Sequence, residues 1–136
     1  YGTTKHMVET ILEDYHKAYG IEYVILRYFN AAGAWPEFGL GEQHEPETHI
    51  IPLLLQAAIQ RKPFTVFGTD YPTPDGTALR DYVHVRDIGQ AHVLALKHLE
   101  EGRPSDSFNL GTGNAISVKE MLEAVERVTH TELPVV

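Results

Sequence analysis

The run IEYVILRYF, Ile21 to Phe29, sets the narrowest limits on how this chain folds. Its apolar, β-branched and aromatic residues follow one another with only Glu22 and Arg27 between them, instead of alternating with polar ones. A strand written that way is buried on both faces, as strands of parallel sheets are, and parallel strands need helical crossovers. The preceding segment supplies a helix. From Thr3 to Tyr19, Met7, Val8, Ile11, Leu12, Tyr15 and Tyr19 recur with a helical period, opposite Glu9, Glu13, Asp14 and Lys17, and Gly20 closes the segment. A helix running straight into a buried strand predicts an α/β fold.

The rest of the chain keeps that alternation. NAAGAWPEFGLGEQHEPET, Asn30 to Thr48, holds glycines and prolines but no sustained period, which predicts a long loop, and loops of that length commonly carry function. A helix is expected over Ile50 to Arg61 with Pro52 in its first turn, then a short strand PFTVFG from Pro63 to Gly68. Turn chemistry follows from Thr69 to Arg80, and a strand from Asp81 to Val85. A helix over Arg86 to Glu101 stops at Gly102, and Ser107 to Gly111 forms a strand. Ser117 and Glu120 make an S-x-x-E capping box that opens a last helix, and LPVV starts another strand.

Composition removes several classes of function. At 43% hydrophobic and 22% charged, the chain fits one globular domain or a large piece of a two-domain protein. It has no apolar run long enough to cross a membrane and no basic-then-apolar leader, so neither a membrane partner nor a secretory signal is expected. The absence of cysteine excludes disulfides and thiolate metal sites and fits a reducing, cytoplasmic setting. A net charge of −8, with 11 Lys and Arg spread singly, argues against a nucleic-acid surface. Eight histidines fall into no H-E-x-x-H or comparable spacing, and His44 and His49 stand in the expected loop without an evident carboxylate pattern, so no metal site is expected. Neither GLGEQH nor GTGNAI completes G-x-G-x-x-G, so the chain lacks a dinucleotide fingerprint.

Tyr1 and Lys5 stand four apart at the start of the first helix and therefore share a face. A cation close to a phenol favours the phenolate, a form able to accept a proton in catalysis. The spacing alone also occurs on ordinary amphipathic helices, so the pair gains weight only from what surrounds it.

That context is YGTTK, RYFNAAGA, FGTDYPTPDGTALRDYVHVRDIGQAH and FNLGTGNAISVKEM. Together these segments resemble the C-terminal half of the UDP-glucose 4-epimerases, a family of extended short-chain dehydrogenases/reductases, over the whole length of the chain. Y-x-x-x-K and R-D-Y-x-x-V-x-D are shared with other sugar-nucleotide epimerases and dehydratases, whereas DYPTPDGT is more particular to the galactose epimerases. The resemblance implies an N-terminal Rossmann domain holding NAD, a smaller C-terminal domain holding the UDP-sugar, and an active site between them. On that map residues 1–33 are the last helix and strand of the Rossmann domain, and residues 34–136 are an incomplete UDP-sugar-binding domain.

The same resemblance implies a role for each matching residue. Tyr1 is the base that takes the proton of the sugar 4-hydroxyl, and Lys5 binds the nicotinamide ribose and assists the tyrosine. Phe29 lines the nicotinamide pocket, Asn30 binds substrate and Arg80 contacts the UDP diphosphate. Thr65, Val66 and Phe67 lie against the uracil, mostly through backbone groups. His49 falls where many members carry an asparagine facing the diphosphate, and an imidazole donates the same kind of hydrogen bond. The expected reaction of the parent enzyme interconverts UDP-glucose and UDP-galactose, in galactose metabolism, through a 4-keto sugar. A homodimer joined through the first helix is implied as well. Two readings stay open beside it: epimerisation or 4,6-dehydration of another nucleotide sugar, and a non-catalytic piece unable to bind NAD by itself.

Overall fold

A computed structural model describes residues 1–136. In chain order the elements are α1 (Gly2–Tyr19), β1 (Val24–Tyr28), β2 (Asn30–Ala32), a 3-10 turn (Pro36–Phe38), α2 (Ile50–Gln60), β3 (Leu79–His84), α3 (Val85–Glu100), β4 (Asp106–Leu110), β5 (Ala115–Ser117) and α4 (Val118–Thr129). The α/β class read from the sequence is the class observed. α1 stops at Gly20, whose left-handed φ of 68° lets its N–H reach the His16 carbonyl at 2.8 Å. α4 opens with the expected capping box: Glu120 N–H donates to Ser117 Oγ at 3.0 Å, and Ser117 N–H donates to Glu120 Oε2 at 2.8 Å.

Two small sheets form. β1 pairs in parallel with β4, Val24 opposite Asp106 and Tyr28 opposite Leu110. β2 pairs in parallel with β3, Asn30 opposite Tyr82, and β3 pairs antiparallel with β5, Arg80 opposite Ile116. The ladder from β1 to β4 crosses the boundary expected at residue 33, so the two expected units share a sheet.

Several sequence expectations need correction. The first strand is shorter than Ile21 to Phe29 and is not buried on both faces: Val24, Ile25 and Leu26 are half-buried, and Arg27, Tyr28 and Phe29 are exposed. The stretch from Asn30 to Thr48 is not all loop: Asn30–Ala32 is captured by the distant β3, and Trp35 and Leu40 bridge around the 3-10 turn. β3 begins at Leu79 rather than Asp81, and Val85 already belongs to α3. Pro63 to Gly68 forms an extended segment with a single bridge, Phe64 to Val135, extended by a Val66 N–H donating to the Val136 carbonyl at 2.9 Å. β5 was not expected at all, because three residues after a glycine turn carry too little pattern to read.

The core is small and lies between α2 and α4. Leu54 and Ala58 of α2 meet Leu122 and Val125 of α4 and Leu133 beyond it, with Ile50, Ala57, Phe64 and Met121 packed around them. Beside this core, Asp75 organises the turn between residues 69 and 78. Its carboxylate accepts from Thr77 N–H at 2.8 Å, from Thr77 Oγ1 at 2.8 Å and from Ser117 Oγ at 2.5 Å, which fastens the turn to the start of α4. Gly76 is required there, since with φ at 80° a Cβ would sit 2.2 Å from the Thr69 carbonyl oxygen.

Candidate functional site

The carboxyl ends of β1 and β4 meet the middle of β3, and Asp81 ties them together. Its carboxylate accepts from Thr112 N–H at 2.9 and 3.0 Å, from Thr112 Oγ1 at 2.8 Å and from Gly113 N–H at 2.9 Å. These bonds, the backbone N–H of Thr112 foremost, hold the Asp81 carboxyl below its usual range. The Asp81 carbonyl accepts from Asn30 Nδ2 at 2.8 Å. Phe29 N–H reaches the Leu110 carbonyl at 3.2 Å, and the Phe29 ring lies so close over Gly111 that a Cβ there would fall 2.7 Å from Cδ2 of the ring and 2.8 Å from Asp81 Oδ2. Phe29 is thus an exposed aromatic ring at the carboxyl end of parallel strands, the place where open α/β sheets receive ligands.

Arg80, Tyr82 and Asn30 share one face of the second sheet: Arg80 and Tyr82 are two apart on β3, and Asn30 stands opposite Tyr82. Asn30 spends its amide on the Asp81 carbonyl, which fixes the side chain and leaves its oxygen as an acceptor. The Arg80 guanidinium makes no ion pair; its single bond is to the Leu79 carbonyl at 2.8 Å, and it stays exposed, a fork able to take an anion.

Tyr1 is the N-cap residue of α1 and is 95% exposed. Lys5 Nζ lies 5.5 Å from the centroid of its ring, over the face rather than at the phenol oxygen. The two are together on one helix face, as the spacing requires, but no hydrogen bond or ion pair joins either to Asn30 or Arg80. α1 is fastened to β1 through a bidentate pair in which Arg27 Nε and Nη2 donate to Glu9 at 2.7 and 2.6 Å. Thr65 and Phe67 are exposed and Val66 half-buried on the segment after α2.

His49 is the N-cap of α2, and its Nδ1 is in close contact with Glu42. The hydrogen bond to that carboxylate, reinforced by its charge, pushes the His49 imidazole up. Glu47 accepts from the N–H groups of His49 at 2.9 Å and Thr48 at 2.8 Å, and these bonds, that of His49 foremost, hold its carboxyl low. His44 stacks on His49, with ring centroids 5.4 Å apart at 19°. The expectation that these histidines lack a carboxylate pattern is therefore corrected: His44, Glu47 and His49 present ligand atoms within 4.8 Å of one another. The sequence hid this because H-x-x-E-x-H lies on a bent loop, not on the helix that the familiar spacings assume. Asp81 was passed over as well; the signal for it was a carboxylate followed, one strand later, by a G-T-G turn rich in free N–H groups.

A short parallel α/β array that gathers its polar side chains at the strand ends, with a phenol and an ammonium one turn apart, defines an α/β protein built to act at the edge of a parallel sheet. Comparison gives the family. The chain belongs to the NAD dependent epimerase/dehydratase family, whose model matches residues 1–111. It is 50% identical over 135 residues to the UDP-glucose 4-epimerase of Streptococcus mutans, covering 98% of this chain and 40% of that protein. It is 56% identical over 129 residues to the UDP-glucose 4-epimerase of Rhizobium meliloti, covering 94% and 39%. Among solved structures it resembles the UDP-glucose 4-epimerase of Brucella ovis in complex with NAD, with a TM-score of 0.94 at 50% identity over 100% of this chain and 42% of that one. The Bifidobacterium longum enzyme in complex with NAD+ and UDP gives 0.89 at 38% identity, covering 100% and 41%. The chain thus spans about two-fifths of the length of these relatives.

Proposed function

We propose that the intact protein carrying this chain is a UDP-glucose 4-epimerase that interconverts UDP-glucose and UDP-galactose with NAD as its cofactor. The observation that carries this reading is the exposed Tyr1–Lys5 pair on one helix face, in a chain about half identical to enzymes of that name. The residues present fit the cofactor by chemistry: the Lys5 ammonium donates to ribose hydroxyls, and the Phe29 ring at the strand ends offers an apolar wall. Bound NAD supplies a hydride acceptor and donor for C4 of the sugar. This chain's own residues bind, orient and move one proton.

Tyr1 accepts the 4-hydroxyl proton and returns it to the opposite epimer, while Lys5 supplies the adjacent positive charge. Arg80 takes diphosphate oxygens with its unpaired guanidinium, and His49 donates to the same group. Asn30 presents its free amide oxygen to the sugar. Thr65, Val66 and Phe67 receive uracil along the extended segment. Residues 1–33, with β4 added through its ladder to β1, form part of the NAD-binding unit, and the remainder serves the UDP-sugar. No helix is long and apolar enough to cross a membrane, and we place the protein in the cytoplasm. A homodimer is part of the reading: α1 buries no residue, and Met7, Val8, Ile11, Tyr15 and Tyr19 are between 51% and 74% exposed.

The test is an assay of the full-length protein with UDP-galactose. Formation of UDP-glucose, abolished in Tyr1→Phe while UDP binding persists, is the expected result. Turnover of another nucleotide sugar with none of UDP-galactose would overturn the substrate, and full activity in Tyr1→Phe would overturn the base.

A further inference from the structure

We propose that Asp81 is a positioning residue for the cofactor: through the turn from Gly111 to Gly113 it sets the Phe29 ring that the cofactor reading places against the nicotinamide. The inference rests on that reading of Phe29 and names what holds the ring in place.

Phe29 stands just past the end of β1 and is 57% exposed, so surrounding packing restrains it little. Gly111 lies directly beside it. A Cβ on Gly111 would fall 2.7 Å from Cδ2 and 2.8 Å from Cε2 of the Phe29 ring, and 2.8 Å from Asp81 Oδ2. The ring edge and the carboxylate oxygen therefore converge on the space that a methyl group would fill. The edge of an aromatic ring is its positive part, so an anionic oxygen is a favourable neighbour for it.

The carboxylate is held by the same turn. Its Oδ2 accepts from the N–H groups of Thr112 and Gly113, both at 2.9 Å, and its Oδ1 accepts from Thr112 Oγ1 at 2.8 Å. Gly113 has a φ of 78°, the left-handed conformation that turns successive N–H groups toward one anion. An amide in place of the carboxylate would set an NH2 group among N–H donors, and the turn, with Gly111, would swing away from the ring. Asn30 is held by a different part of the same residue, since its Nδ2 donates to the Asp81 backbone carbonyl at 2.8 Å. Asp81→Asn keeps that carbonyl. The side chain thus governs the cofactor wall while the backbone governs the substrate asparagine, and an experiment can separate the two.

The intact protein, freed of bound nucleotide, is titrated with NADH by fluorescence and with UDP by calorimetry, unaltered and as Asp81→Asn, Phe29→Ala and the double variant. Expected are NADH binding weakened about tenfold in Asp81→Asn, UDP binding unchanged, and a double variant that binds NADH no more weakly than Phe29→Ala, the non-additivity of residues that act through one another. Thr112→Val removes the Oγ1 bond and keeps both N–H groups. It should give a smaller loss that also vanishes beside Phe29→Ala, and it serves in place of Asp81→Asn if that variant does not fold. Additive losses, an equal weakening of NADH and UDP, or unchanged NADH binding in both variants would overturn the inference and leave the cofactor reading standing. An unaltered protein that binds UDP but no NADH would overturn the cofactor reading and this inference with it.

Discussion

Leu54→Ala is the substitution whose cost the fold states most directly. Nine of 136 residues are buried, and Leu54 alone among large side chains is fully buried, at 0% exposure. Its neighbours Leu122, Val125 and Leu133 come from another helix and the tail beyond it, so its removal empties the joint between α2 and α4. Losing three carbons forfeits about 2.4 kcal/mol of transfer free energy at ~0.8 per methylene. A cavity term then brings the sum to about 3–4 kcal/mol, inside the range of ~2–5 for such changes. For a chain of this size that is a fall in melting temperature of roughly 10 °C. Urea unfolding followed by far-ultraviolet circular dichroism reads the change as a shift in midpoint at constant slope. Ile59→Ala, on the same helix but at a residue 80% exposed, should cost no more than about 0.5 kcal/mol, and Leu54→Met less than about 1.5. Equal shifts for Leu54→Ala and Ile59→Ala would refute the claim that this joint holds the two helices together. His49 stands at the N-terminus of α2, so its position depends on that helix staying in place.

Gly111→Ala should destabilise by about 1–3 kcal/mol through overpacking, since its Cβ meets Phe29 and Asp81 at under 3 Å; loss of the Thr112 and Gly113 amide protection from hydrogen exchange would report the shift, and unchanged protection would contradict it. The Asp75 carboxyl is held low, first by Ser117 and then by Thr77. A carboxyl depressed on folding stabilises above its unfolded value of about 3.9, and that stability fades as pH falls through the lower folded value. Stability should therefore drop with acid below about pH 4, less steeply in Asp75→Asn, and parallel curves for the two proteins would count against the network. On the proposed pairing through α1, Ile11→Glu, on its exposed apolar face, should leave the intact protein monomeric by light scattering where the unaltered protein is a dimer; a monomeric unaltered protein would refute the pairing, and a dimer that persists in the variant would place the interface elsewhere.

How much of this was legible depends on the range over which each signal acts. Local signals read well: the period of α1, the Gly20 stop and the Ser117–Glu120 box all lie within one turn of the residues they govern, and all appear where expected. Pairing across the chain did not. Ala31 carries no strand signal of its own, yet it lies in a strand because Val83, 52 positions away, offers it a ladder. IEYVILRYF was read correctly as holding a parallel strand, but burial on both faces depends on the layers packed over a sheet, which a run of apolar residues does not reveal, and Arg27 to Phe29 are exposed.

The candidate site divides along the same line. Tyr1 and Lys5 are four residues apart on one helix, so sequence placed them together. Asp81, by contrast, acts through partners 31 and 32 positions away, at Thr112 and Gly113, and through the amide of Asn30 on a third strand. No window of sequence contains that set, and only the fold shows that Asp81 holds the turn at Thr112 and Gly113 with its carboxylate and Asn30 with its backbone carbonyl. The H-x-x-E-x-H loop is the intermediate case. Its residues are close in sequence, yet their convergence depends on how the chain bends between His44 and the first turn of α2. Sites built by regular elements can be read from spacing, because the element fixes the geometry. Where a loop or a ladder supplies the geometry, residue identity gives the chemistry and the fold must give the meeting point.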